Sequence, residues 1–251
     1  MKNIYKIKLF LITLVIFSSC AVDDDVPVQN LTSTIEASVS NLVIVPRTTT
    51  SYDLVVNLSQ TLPASAQIEY TLSNGTTDII RTNGGGANTI TIPVDLDGAL
   101  YEEVTLKNLT VLYAENYQTT ISSTNNSVLL VKEDTFSVTM NWADAAFDLD
   151  LYFDFLTDTW DLLGTAASSL GVTNMENIEG FLAADGNFGM YVSQWNAYTV
   201  EVPYTLSFVT DGGIASYNLT YTGTAGYSIW FTKTTDADGV VTYTFYEEDP
   251  S

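Results

Sequence analysis

Two carboxylates two residues apart, in the run Asp148-Leu149-Asp150-Leu151-Tyr152, are the residues of this chain best spaced for chemistry. On a strand, alternate side chains share a face, so the two like charges sit side by side and repel unless a cation or a donor lies between them. Calcium takes 6–8 oxygens at about 2.3–2.6 Å. Asp144, Glu176 and Glu179 are the further oxygens that neighbouring loops would bring. The same carboxylates also fit a solvated edge, or acceptors for backbone N–H groups at a strand turn. A glycosidase-type pair, Asp148 with Glu176 or Asp185, would need its carboxyls about 5 Å or 6.5–9.5 Å apart across a cleft. Spacing in sequence fixes no such separation. Asp236-Ala237-Asp238-Gly239 has Val240 and Val241 where a calcium loop needs oxygen and glycine, so it reads as a hairpin turn.

Tryptophans offer a second chemistry. Trp160 and Trp195 fall in or beside loops, and Trp230 is out of phase with Ile229 and Phe231. Exposed, with nearby carboxylates and amides, they would stack on a sugar ring; the alternative is that they pack in the core or cover a sheet edge. Trp142 shares a strand face with Phe136, Val138 and Met140 and reads as core.

Other chemistries are excluded by composition. The chain has no histidine, and Cys20 is its single cysteine. That removes Ser-His-Asp and Cys-His nucleophiles and nearly all zinc, copper and haem sites.

The elements that must carry these residues read as strands. Leu54–Leu58, Ile68–Leu72, Ile90–Val94 and Leu109–Tyr113 follow a period of two, and the apolar run Val128–Val131 closes the set, with Asn74-Gly75 and Asn83-Gly84 as turns. About seven strands are expected there. After Lys132-Glu133-Asp134 the charge changes: residues 134–251 hold 17 acids and one base, Lys233. Phe147, Leu149, Leu151, Phe153 and Phe155 form one face, and Asp148, Asp150, Tyr152 and Asp154 the other. Residues 157–169 read as a connection with a short helix as one option. Further strands are expected near 175–183, 188–195, 199–209, 214–222, 227–233 and 240–246, with Asp185-Gly186 and Asp238-Gly239 as hairpin turns.

The start of the chain gives an address. Lys2, Lys6 and Lys8 precede an apolar run, Leu9 to Phe17. That run is too short to cross about 30 Å of hydrocarbon, which needs roughly 20 residues. A basic start and a short apolar run describe an export signal. Phe17-Ser18-Ser19-Cys20 resembles the lipobox of bacterial lipoproteins, which implies cleavage before Cys20 and acylation of that cysteine, palmitate included. Asp23-Asp24-Asp25 resembles the acidic surface-export signal of Bacteroidota lipoproteins; a solvated tether is the alternative. Without the leader the formal charge becomes −25. Such a chain repels nucleic acid and anionic lipid headgroups, which excludes nucleic acid as a partner.

Two further resemblances concern the body of the chain. Residues 34–133 resemble the Ig-like modules of Bacteroidota surface lipoproteins in style. Trp142, the Asp148–Tyr152 run, Glu176-Asn177-Ile178 and Asp185-Gly186-Asn187-Phe188 follow an order that resembles bacterial pre-peptidase C-terminal domains over 134–247, with Asn177 and Phe188 departing from the pattern. The resemblance implies an accessory or binding module, in some cases calcium-bound.

The expectation is an all-β chain of two consecutive β-sandwiches, Ig-like and then jelly-roll-like, after a cleaved lipoprotein signal. Its parts are a signal peptide over 1–19, lipidated Cys20 with an acidic tether over 20–33, an Ig-like sandwich over 34–133 and an acidic sandwich over 134–251. The expected role is a non-catalytic, surface-exposed outer-membrane lipoprotein that binds or displays, with calcium as a candidate cofactor and a glycan or surface protein as a candidate partner. A carbohydrate-binding accessory of a glycan-uptake system and a carboxylate-dependent glycoside hydrolase are the alternatives. Oligomeric state is left open.

Overall fold

The computed structural model describes residues 33–114, 116–171, 173–195 and 200–251. Cys20, the leader and Asp23–Asp25 lie outside the described residues. Every regular element among those described is a β-strand.

The first nine strands are β1 (Ser33–Ser38), β2 (Leu42–Val45), β3 (Ser51–Leu58), β4 (Ala66–Leu72), β5 (Thr77–Arg81), β6 (Thr89–Asp95), β7 (Tyr101–Val111), β8 (Tyr117–Ile121) and β9 (Ser127–Lys132). They form two sheets, β6-β3-β1-β8 and β2-β9-β7-β4-β5. Period-two patterning sends Ile35, Leu54, Val56, Ile90 and Ile92 from one sheet against Ile68, Tyr70, Val104, Val128 and Leu130 from the other, in one core. This is two strands more than the sequence suggests. The short β2 and β5 sit at sheet edges, where only one neighbour has to be matched and the alternation is weak.

The second nine are β10 (Thr135–Trp142), β11 (Leu149–Leu156), β12 (Leu162–Ser169), β13 (Met175–Phe181), β14 (Gly186–Gln194), β15 (Val202–Thr210), β16 (Gly213–Tyr221), β17 (Gly226–Thr235) and β18 (Val241–Tyr246). A four-stranded sheet, β13-β10-β15-β16, packs on a five-stranded one, β12-β11-β14-β17-β18. Every pairing in both sheets is antiparallel. Their shared core is aromatic. Phe136, Phe153, Phe188 and Phe231 stack with centroid separations of 4.7 to 6.1 Å. Trp142 is buried as expected, its indole N–H donating to the Phe147 carbonyl at 2.8 Å.

Two local expectations are corrected. Residues 157–169 hold no helix: Thr157 to Asp161 close a tight loop through Thr157 N–H to the Asp161 carbonyl, 2.8 Å, and β12 then pairs with β11. Asp185-Gly186 is no hairpin turn, because β13 and β14 belong to different sheets. The Asp185 carboxylate instead accepts from the Thr235 N–H and hydroxyl, both at 2.8 Å. The Asp236–Gly239 turn is a hairpin as expected, with Asp236 Oδ1 accepting from the Asp238 and Val240 N–H groups.

The two cores meet at Asp134, which links β9 to β10. Its φ of 58° lies in the left-handed region that Asp and Asn tolerate better than most residues. Its carboxylate pairs with Arg47 of the first sandwich and, at 2.7 Å, with Lys233 of the second. The Lys233 side chain is 0% exposed and also donates to the Leu182 carbonyl. Burial raises the Asp134 pKa, but the hydrogen bonds and charges of Lys233 and Arg47 outweigh it and hold the carboxyl below the usual range. The single base of the acidic half is therefore spent on the junction.

Candidate functional site

Strand β11 builds the site. Leu149, Leu151 and Phe153 enter the core, so Asp150, Tyr152 and Asp154 face outward from the five-stranded sheet. Register then decides their neighbours. Asp150 lies opposite Ser193, Tyr152 opposite Tyr191, and Asp154 opposite Gly189. On the next strand Tyr191 is opposite Tyr227 and Gly189 opposite Trp230, and Trp230 is opposite Tyr246 on β18. A bulge between Met190 and Tyr191 shifts the register by one on β17, which puts Tyr227 on the same face as Trp230 despite their odd spacing.

The result is a band of aromatic side chains across the outer face. Tyr152 meets Tyr191 edge-on at 5.9 Å, Tyr191 meets Tyr227 edge-on at 5.4 Å, and Tyr227 meets Trp230 at 5.8 Å. The loop after β11 turns back at Trp160, whose φ is 65°, and sets that ring edge-on to Tyr246 at 5.6 Å. All six rings are half-buried, with their outer parts in solvent. Trp195 stands at the end of β14, 76% exposed, its N–H donating to the Asp148 carbonyl at 3.1 Å.

Carboxylates are set into this band. Asp154 is 4% exposed; its Oδ2 accepts from the Tyr227 hydroxyl at 3.0 Å, and its buried Oδ1 has no partner. Burial, the bond to Asp154 and that carboxylate's charge push the Tyr227 hydroxyl far above the ordinary tyrosine range. Gly189 makes the arrangement possible. A Cβ there would stand 2.6 Å from the Tyr227 ring, so only glycine lets the ring lie across β14. Nearer Trp195, burial raises the Asp150 pKa, helped by the charges of Asp148 and Glu176 and opposed by Ser193. Asp148 Oδ1 and Gln194 Nε2, an acceptor and a donor, are likewise buried without partners.

The five carboxylates expected to hold calcium are divided. Asp148 and Asp150 are neighbours, and Glu176 is close enough for its charge to act on Asp150. Glu176 itself is 1% exposed and committed to local bonds, from the Ser169 hydroxyl and from Gly171 N–H at 2.8 Å. Strand parity sends Glu179 to the opposite, exposed side of β13. Asp144 closes its own turn by accepting from Ala146 N–H at 2.9 Å. Among the described residues no group of three or more Asp, Glu, His or Cys side chains is placed to hold a metal ion.

The candidate ligand residues are gathered better. Trp160 and Trp230 lie in the band, and Trp195 stands at its rim. Tyr191, Tyr227 and Tyr246 were not singled out by sequence, because their partnership depends on cross-strand register and on one bulge. The signal that was present is Gly189 among large residues of a strand, a mark of close approach.

No family model matches the chain, and no curated protein matches it. Solved structures align loosely. CBD12 of CALX1.2 is 10% identical over 65% of this chain and 83% of that one, with a TM-score of 0.29. The calcium binding domain CBD12 of CALX1.1 is 13% identical over 62% and 78%, at 0.27. A tetra-tandem repeat from the extending region of a large adhesion protein is 10% identical over 84% and 72%, at 0.22. At such scores no residue role or ligand carries across. What the geometry defines is an all-β chain of two sandwiches, the second bearing an outward aromatic band with carboxylates set into it.

Proposed function

We propose that this chain is a non-catalytic binding module, held on the outer membrane by acylated Cys20 and displayed at the cell surface, with the outer face of the five-stranded sheet as its binding surface. The observation that carries the reading is the band itself. Six aromatic side chains converge on one sheet face, in solvent contact, beside a carboxylate with an unused acceptor. Sheet faces turned to water are ordinarily polar, and apolar surfaces with a few placed polar groups are what ligand sites look like. The first sandwich acts as a spacer, and the ion pairs at Asp134 keep it from swinging freely against the second.

A catalytic reading has less behind it. It would pair Asp148 with Glu176 or Asp185; against it, Glu176 is taken up by the Ser169 hydroxyl and Gly171 N–H, and Asp185 by the Thr235 N–H and hydroxyl.

The address is tested by fractionation and protease shaving of intact cells. The wild-type chain is expected in the membrane fraction and cleavable from outside, and Cys20→Ala is expected in the soluble fraction. Membrane retention of Cys20→Ala would remove the anchor. The binding surface is tested by a ligand screen of wild type beside Tyr191→Ala; a ligand whose affinity ignores Tyr191 would place the binding surface elsewhere.

A further inference from the structure

We infer that the ligand of this face is a neutral glycan, stacked on the aromatic band and hydrogen-bonded through its hydroxyls to Asp154 and, towards Trp195, to Asp148. The inference rests on the binding-surface reading above and adds the chemical class. Three observations select it.

The first is the pattern of unmet hydrogen bonds. Asp154 Oδ1 and Asp148 Oδ1 are acceptors without donors, and Gln194 Nε2 near the same end of β14 is a donor without an acceptor. Each is closed off from solvent in the free protein, so a ligand hydroxyl meets it only as the side chains over it part; a buried polar atom left unmatched is costly, so a ligand that satisfies it gains. A hydroxyl both donates and accepts, whereas an ammonium only donates and a carboxylate or phosphate only accepts. The mixed demand fits a polyol.

The second is charge. Residues 134–251 carry 17 acids and one base, and that base is buried at the junction. An anionic ligand would meet repulsion with no counter-charge on the face.

The third is shape. Ring centroids along Tyr152, Tyr191, Tyr227 and Trp230 are spaced 5.4 to 5.9 Å, and Trp195 extends the aromatic surface along β14. This is an extended track rather than an enclosed cage. A linear chain of rings can use several such positions at once, while a compact cation can use only one.

The test uses the full mature chain in detergent. Isothermal titration is run against a panel of neutral polysaccharides (glucans, xylans, mannans, galactans), against polygalacturonate, and against tetramethylammonium and spermine. The expected result is binding to at least one neutral polysaccharide, unchanged between 50 and 500 mM salt, because a neutral ligand offers no charge to screen (~8 Å Debye length at 0.15 M). Tyr191→Ala and Trp195→Ala should each weaken it about tenfold, the loss of about 1.4 kcal/mol. Asp154→Asn should weaken it with folding intact by circular dichroism. Binding of spermine or tetramethylammonium that fades with salt and with Tyr191→Ala would overturn the glycan class and leave the binding surface standing. Polysaccharide binding indifferent to Tyr191→Ala and Trp195→Ala, or silence across the whole panel, would overturn the proposal.

Discussion

Asp134→Asn should destabilise the second sandwich by about 2–3 kcal/mol, and most of that loss should vanish when Lys233 is replaced as well. The Lys233 ammonium is fully buried, with two partners: Asp134 Oδ1 at 2.7 Å and the Leu182 carbonyl. Breaking a buried pair from one side costs about 3–5 kcal/mol, because the other charge is stranded. The figure here falls at or just below the bottom of that range, since Asp134 is 24% exposed and asparagine keeps an oxygen near the ammonium. Asparagine is the right substitution, because Asp134 has φ 58° and alanine would add backbone strain of about 1–2 kcal/mol. Lys233→Met removes the charge that needs a partner, so the double variant should sit well above the sum of the singles, with a coupling of about 1–2 kcal/mol. Urea unfolding followed by tryptophan fluorescence reads this directly, because all four tryptophans lie after residue 134. The sign with pH follows from a folded-state pKa held below the unfolded value of about 3.9. The pair's contribution is full above that value and is lost as pH falls through the lower folded one, so the gap between wild type and Asp134→Asn should begin to close only below about pH 4 and vanish below the folded value. A cost under about 1 kcal/mol, or strict additivity in the double variant, would refute the account of a stranded charge.

Three other perturbations test the site. Asp150 has a folded pKa above its unfolded value, so its stabilising share is present only at low pH and is lost as pH rises through the folded value; Asp150→Asn should raise the melting temperature at pH 7 by about 2–4 °C and leave it unchanged near pH 3, as calorimetry will show. Gly189→Ala puts a Cβ 2.6 Å from the Tyr227 ring and should cost about 1–3 kcal/mol in urea unfolding; Tyr227→Phe should cost a comparable amount, because it removes the hydroxyl that donates to the buried Asp154 carboxylate. Thermal unfolding with millimolar calcium and with chelator should give the same midpoints within about 1 °C; a cation bound at 100 times its Kd would add about 2.7 kcal/mol, and a shift of several degrees abolished by Asp148→Asn would show that calcium draws the divided carboxylates together.

Much of this protein was legible in the residues alone. Period-two alternation fixed the all-β class, because a strand half in water and half in core must alternate. The change of charge after Asp134 can be read along the chain, and the absence of histidine narrows the chemistry. Trp142 was readable as core from the apolar residues that share its face. The carboxylate cluster was not readable. Asp148, Asp150, Glu176 and Glu179 are close in sequence pattern, yet parity on β13 turns Glu176 inward and Glu179 outward, and Glu176 is taken up by Ser169 and Gly171. The aromatic band was invisible for a related reason. Tyr152, Tyr191, Tyr227 and Tyr246 lie on four strands, and which of them meet depends on register and on the one-residue shift after Met190. Alternation is a property of a single strand and can be read along the chain. Register is a property of pairs of strands, set by packing of the whole sandwich, and only the tertiary structure decides it.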